Sequence, residues 1–312
     1  MPSQAPLRPA SRHFAVVGAG MAGIACARTL AQAGHTVTVF DKSHGLGGRM
    51  ASRRTPFGSF DHGVQYFTVR DERFARAIAT TPGVVRPWSA NAVRVLDPHG
   101  RVAEAALPSH EAHFVATPGM NALVRGWAQP LVQQGRVELQ TLVTRIERDA
   151  LAPARWQLRT TGPGDSDHAD SAHVYSGFDA VVVALPAAQA QALLRASAVA
   201  PALAAQAGDV QVAPCWTLML AYPNAVQPTL PHLGPQWNAA LSTHHRVAWL
   251  ARESSKPGRD AVERWTVQAS AAWSAEHLDD SPLRVQAKLL KAFSELTGIR
   301  AEPAQAATHR WR

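Results

Sequence analysis

FAVVGAGMAGIACARTLAQAGHTVTVFDKSHGLGGRM, residues 14–50, decides the fold. Phe14–Val17 is a short apolar run with β-branched residues, the pattern of a strand buried on both faces of a parallel sheet. Gly18, Gly20 and Gly23 follow at once. Gly18 permits the tight turn, Gly20 lets a pyrophosphate approach the backbone, and Gly23 lets the next helix pack closely on the strand. That helix, starting with Met21 and Ala22, runs to about Ala33, and its free N–H groups and positive dipole end suit a phosphate. Gly34 ends it. Thr36–Phe40 reads as the second parallel strand, and Asp41 stands at its tip, 23 positions past Gly18. An acid roughly 20 residues on accepts hydrogen bonds from a ribose 2′-OH and repels a 2′-phosphate.

The motif marks an adenine dinucleotide without choosing FAD or NAD. A few residues past Lys42, Gly45, Gly47, Gly48 and Arg49 form a second Gly-rich turn that ends in a guanidinium able to fork onto a pyrophosphate, with Met50 behind it. Here the chain resembles flavoproteins of the amine oxidase superfamily. FDHGVQYFTVRD at 60–71 narrows the resemblance to the renalase-like proteins, and APCWTLML, KPGR and HRW further along fit the same pattern. The resemblance spans nearly all of residues 13–311 and implies FAD as cofactor. It also implies a role for three more positions: Val143 stands where the backbone meets the adenine, and Gln65 and Tyr66 lie beside the isoalloxazine. By composition alone, Tyr66 is equally a core residue and Gln65 a turn cap. The candidate cofactor contacts are therefore Gly18, Gly20, Met21, Ala22, Gly23, Asp41, Lys42, Gly48, Arg49, Met50, Gln65, Tyr66 and Val143.

With 312 residues, 46% hydrophobic and 17% charged, the chain reads as a globular protein of about two domains. Two cysteines are too few for a disulfide framework and point to a reducing, cytoplasmic setting. The net charge of +8 invites a nucleic-acid reading. The arginines are scattered, however, and no nucleic-acid module is present. No metal-ligand spacing occurs among the 14 histidines. Residues 1–12 read as a disordered tail with no signal-peptide core. The Ala-rich stretch from Val181 to Ala207, broken by Pro186 and Arg195, is no membrane span.

The fold class expected is α/β: a Rossmann-like FAD-binding domain with a parallel sheet and an antiparallel β-meander, carrying an inserted, mainly antiparallel α+β substrate domain. The FAD-binding domain takes residues 13–70 and 113–190, and the substrate domain 71–112 and 191–307. Asp71–Thr80 has helical spacing, and Val84–Val102 reads as two strands around the Asp97–Gly100 turn. A helix from Thr117 to about Gly135 leads to a strand at Val137–Leu139. Leu142–Arg148, Trp156–Thr160 and Ala172–Ser176 form the meander, with a polar loop at Gly162–Ser171, and Asp179–Ala184 re-enters the parallel sheet. Strands at Ala213–Tyr222, Arg246–Arg252 and Arg264–Ala269 carry clustered tryptophans. Ser281-Pro282 opens a helix that Gly298 closes.

The resemblance implies oxidation of dihydronicotinamide dinucleotides by hydride transfer to flavin N5, with O2 as the second substrate. Since the cofactor carries that chemistry, no catalytic side chain is assigned. Trp249 or Trp273 is a candidate to stack on the nicotinamide, with core packing as the competing use. The alternatives are a flavin amine oxidase, whose cavity is lined with aromatics rather than phosphate-binding arginines, and a dinucleotide-binding protein without turnover. Renalase-like proteins continue past their His-Arg-Trp strand into a strand, a Gly-Asp turn and a helix against the flavin. A chain ending at Arg312 is thus expected to hold FAD substoichiometrically.

Overall fold

The structure, a computed structural model, describes residues 10–88, 93–104, 111–162, 173–226 and 237–312. Most of the tail and nearly all of the Gly162–Ser171 loop lie outside these. Arg12 is already ordered, its carbonyl accepting the Thr36 N–H at 2.9 Å.

The chain begins with strand β1 (His13–Val17), helix α1 (Met21–Gln32), β2 (Thr36–Phe40), β3 (Ser52–Thr55), β4 (Gly58–Asp61) and α2 (Glu72–Ala79). Asp71 caps α2, accepting from the Arg73 and Phe74 N–H groups. Three strands then appear where two are expected: β5 (Val85–Trp88), β6 (Val93–Leu96) and β7 (Val102–Glu104). The extra break follows from pairing, since β5 joins β8 (His113–Ala116) whereas β6 and β7 join another sheet. Next come α3 (Asn121–Gln133), β9 (Val137–Glu138), β10 (Leu142–Arg148), β11 (Trp156–Thr161), β12 (His173–Phe178) and β13 (Ala180–Val183). Two helices not foreseen, α4 (Ala187–Ser197) and α5 (Pro201–Asp209), fill the Ala-rich stretch. The last third holds β14 (Cys215–Tyr222), β15 (Ala239–Ser242), β16 (Val247–Arg252), β17 (Glu263–Ala269), α6 (Ala271–Glu276), α7 (Pro282–Thr297) and β18 (Gln305–Trp311).

The chain forms two compact units. The first comprises residues 1–48 and 124–211, the second 49–123 and 212–312. These boundaries fall earlier in the first segment and later in the others than the sequence suggests.

In the first unit, β13, β1, β2 and β9 form a parallel sheet in that order, and β10–β12 form the antiparallel meander. β1 lies between β13 and β2, with Val17 opposite Val183 and Phe40, and its last three residues, Ala15–Val17, are buried. The core gathers Ala15, Phe40, Ile146, Leu158 and Phe178.

The second unit is built on a seven-stranded sheet in the order β18-β14-β17-β16-β15-β6-β7, in which only β15 and β6 pair in parallel. In β14 every residue after Cys215 is buried. Helix α7 presents Val285, Leu289, Ala292, Phe293 and Leu296 as one apolar stripe, and they join Trp216, Trp265 and Trp273 in the main core. No helix among the described residues is long and apolar enough to cross a membrane.

Candidate functional site

The glycines of the first turn divide by what surrounds them. Gly18 has φ +111°, and a Cβ there would lie 2.5 Å from the Ala184 carbonyl oxygen, so the turn itself demands glycine. A Cβ on Gly23 would come within 1.8 Å of the Gly18 oxygen. Gly20 differs, because a Cβ would meet nothing nearer than the Gly48 Cα at 3.9 Å. The protein's own packing does not require glycine here; it keeps the backbone approachable. Helix α1 then begins with no side-chain cap and no acid in its first turn, leaving its N–H groups suited to an anion.

The second Gly-rich turn lies against the first. Gly20 and Gly47 pair as an isolated bridge, and the Gly47 N–H donates to the Ala19 oxygen at 3.1 Å. Asp41 locks this arrangement. Its Oδ2 accepts the Ala19 N–H at 2.7 Å and its Oδ1 the Ser43 N–H at 2.8 Å. An ionised carboxylate has about four acceptor sites, so capacity remains for ribose hydroxyls. Met21 is half-buried, Ala22, Lys42 and Gly48 are exposed, and Val143 is buried where β10 leaves its register with β11. The open backbone at Gly20, the uncapped helix and the tethered acid together fit an adenosine diphosphate moiety.

In the second unit, two stretches of the resemblance meet in a buried charge cluster. Lys256 Nζ donates to Asp61 Oδ2 at 3.2 Å, Gln65 Oε1 at 3.1 Å and Glu253 Oε1 at 3.1 Å. Arg259 donates to Asp61 Oδ2 at 2.6 Å and to the Ala116 carbonyl at 3.0 Å. The side chains of Asp61, Glu253 and Lys256 are wholly inaccessible, and that of Arg259 is 1% exposed. Asp61 Oδ1 accepts from Ser52 Oγ and the Met120 N–H, while Thr266 and the Asp61 N–H donate to Glu253. Burial alone would raise the Asp61 carboxyl, but Lys256 and Arg259, helped by the Met120 N–H and Ser52, hold it at about 2. Glu253 goes the other way, raised by burial against the pull of Lys256 and further by the charge of Asp61.

Gln65 takes the turn-capping role. Its Nε2 donates to the Asp61 and Gly63 carbonyls while Lys256 holds its Oε1. Tyr66, half-buried, joins an aromatic patch: its ring centroid lies 4.2 Å from His113, 5.6 Å from Trp249 and 6.4 Å from Trp88. The Trp249 Nε1 is buried and has no hydrogen-bond partner among the described residues. Trp273 goes to the core, stacked on His277 at 4.2 Å. His62 stacks on Trp311 at 5.1 Å, and burial, with His309 and Arg53, depresses its pKa to about 4. Arg49 and Met50 open this unit, the guanidinium residue exposed and the methionine buried.

Sequence reasoning did not single out Ser52, Glu253, Lys256 or Arg259 as site residues. A signal was present: ARESSKPGR places charged residues directly behind the apolar run VAWL. A charge cannot be buried alone, so such a run must meet its counter-ions elsewhere in the chain.

A family model for an NAD(P)-binding Rossmann-like domain matches residues 16–80, and one for flavin containing amine oxidoreductases matches residues 99–312. The flavin-containing monooxygenase FMO GS-OX-like 7 of Arabidopsis thaliana is 25% identical over 187 residues, 55% of this chain and 34% of its own. The chain spans about a third of the length of such curated relatives. Among solved structures, cyclohexylamine oxidase from Brevibacterium oxydans IH-35A matches with a TM-score of 0.68 at 13% identity, over 97% of this chain and 85% of that one. A redesigned putrescine oxidase matches at 0.71 and 11% identity, over 96% and 84%. At such identities these structures establish the fold. With the amine oxidoreductase model covering more than half of its residues, the chain belongs to the flavin containing amine oxidoreductases, a family of FAD-dependent oxidoreductases.

Proposed function

We propose that the protein is an FAD-dependent oxidase of the renalase-like kind that oxidises dihydronicotinamide dinucleotide isomers, the first unit holding FAD and the second the substrate. One observation carries this reading. FDHGVQ and KPGR, two stretches on which the renalase-like resemblance rests, supply Asp61, Gln65, Lys256 and Arg259 to a single buried network. Their joint presence in the chain is therefore one physical feature and not two chance matches.

When bound, FAD would supply the hydride acceptor at N5 and pass the electrons to O2. The net change is dihydropyridine plus O2 plus one proton to pyridinium plus hydrogen peroxide. The chain's part is to bind and orient. Asp41 would accept hydrogen bonds from the adenosine ribose, and the N–H groups from Gly20 into α1 would hold the pyrophosphate. Tyr66, half-buried, offers a flat face for a dihydropyridine ring, with the buried Trp249 ring 5.6 Å from it. Hydride loss from the ring releases no proton, so no general base is required of the second unit.

The same patch favours one competing reading. A small neutral amine fits aromatic faces, and His113, whose pKa is lowered by burial, is a neutral acceptor beside them. Anaerobic mixing separates the two readings: 2- or 6-dihydronicotinamide dinucleotides should bleach the flavin faster than primary amines do. Bleaching by amines alone would assign the protein to amine oxidation.

A further inference from the structure

The patch of Tyr66, Trp88, His113 and Trp249 draws its residues from separate strands and loops of the second unit. One short segment, Glu253–Arg259, contacts Trp88 directly and binds Gln65 and Ala116, which are close in the chain to Tyr66 and His113. Ser255 Oγ accepts the Trp88 Nε1–H at 3.1 Å and donates to the Arg252 carbonyl at 2.6 Å, which fixes its orientation. Lys256 Nζ lies 5.6 Å from the centre of the Trp88 ring and holds Gln65, the neighbour of Tyr66, by its Oε1. Arg259 binds the Ala116 carbonyl at the end of β8, the strand that begins with His113. Pro257 and Gly258 are seated by Thr117, whose hydroxyl donates to the Pro257 carbonyl at 3.0 Å. A Cβ on Gly258 would lie 2.3 Å from the Thr117 methyl.

Stability does not account for this arrangement. Fully desolvated charges cost several kcal/mol each in lost hydration, and apolar side chains of the same volume usually stabilise a core as well or better. A buried ionic network does offer geometry, because each partner has one position that satisfies all the others. Trp88, Gln65 and the end of β8 are the groups it holds.

We propose that Lys256 is a positioning residue for substrate recognition, fixing, together with Ser255 and Arg259, the buried Trp88 ring and the segments that carry Tyr66 and His113, whose half-buried rings are the seat for a flat, uncharged ring. The inference rests on the reading of the patch as the substrate seat, and it deepens that reading by naming what sets the seat's shape.

The test uses the flavin-loaded full chain. Lys256→Met alone would leave two carboxylates facing one guanidinium, so it is combined with Glu253→Gln, which leaves the Asp61–Arg259 pair at its 2.6 Å contact in a charge-balanced core. Ser255→Ala releases the Trp88 indole without touching any charge. The substrate is whichever compound reduces the wild-type flavin fastest in the anaerobic comparison. We expect both variants to keep wild-type flavin content. KM should rise about tenfold in the double variant and about threefold in Ser255→Ala, with kcat changed by less than about twofold, the pattern of lost binding and not lost chemistry. Unchanged KM in both variants, or equal loss of kcat and kcat/KM, overturns the proposal. Should the double variant fail to fold, Ser255→Ala decides by the same criterion. Should wild type turn over neither substrate class, the functional reading fails by itself. The near-ultraviolet circular dichroism of Ser255→Ala then tests the inference: a changed aromatic signal supports the positioning role, and one superimposable on wild type overturns it.

Discussion

Single residues separate the structural uses of glycine from its binding use. Gly18→Ala should unfold the turn, since φ +111° and the 2.5 Å approach to Ala184 leave a Cβ no place, costing about 2 kcal/mol or more. Gly20→Ala meets nothing nearer than 3.9 Å, so its thermal stability without FAD should match wild type while FAD affinity falls by about 1–2 kcal/mol. Titration calorimetry with FAD alongside thermal melts of the apoprotein checks both, and equal melting loss in the two variants would contradict this division. Asp61 supplies a pH prediction. Its pKa is depressed from 3.8 to about 2 in the folded state, so its stabilisation is complete above pH 3.8 and is lost as pH falls towards 2. Asp61→Asn should flatten that acid limb in urea titrations across the window. It should also cost about 3–5 kcal/mol at neutral pH, because Lys256 and Arg259 keep their buried charge with one fewer partner.

At the scale of elements, local rules worked where the chain carries its own punctuation. Ser281 accepts the Arg284 N–H, Pro282 sits in the first turn of α7, and Gly298 follows its end at φ +74°, as the sequence requires. Ser281→Ala should therefore lower stability by about 1 kcal/mol, read as a shift in the urea midpoint without change of slope. Helices α4 and α5 went unforeseen because their punctuation is irregular. Ala198 closes α4 and Ala200 precedes α5, both in the left-handed region that glycine would ordinarily occupy. Ala198→Gly should raise stability by up to about 1 kcal/mol, and a fall in the same urea titration would show that the Ala198 methyl packs usefully. The split of the expected two strands in Val84–Val102 into three has another origin. β5 follows β8 while β6 follows β15, partners that lie outside the segment.

For the whole molecule, FAD should act as a folding ligand. A ligand at about 100 times its Kd adds about 2.7 kcal/mol to stability, so excess FAD should raise the melting temperature by several degrees. Asp41→Ala should remove most of that rise, since its carboxylate both tethers Ala19 and is the proposed ribose acceptor. An unshifted melt of wild type with excess FAD would argue against the first unit as the FAD site. What the sequence by itself determined is the parallel β1–α1–β2 unit, the meander, the strands around the tryptophans and the capped α7, because each is written in a local pattern of side chains and turn residues. It also marked the glycines by their spacing in the turn and Asp41 by its place at the tip of β2. The tertiary structure alone decided the pairing of the two Gly-rich turns, the role of Gln65 and the burial of Asp61, Glu253, Lys256 and Arg259. Those depend on residues up to 198 positions apart, and the energy of a buried charge is set by a partner that no local pattern names.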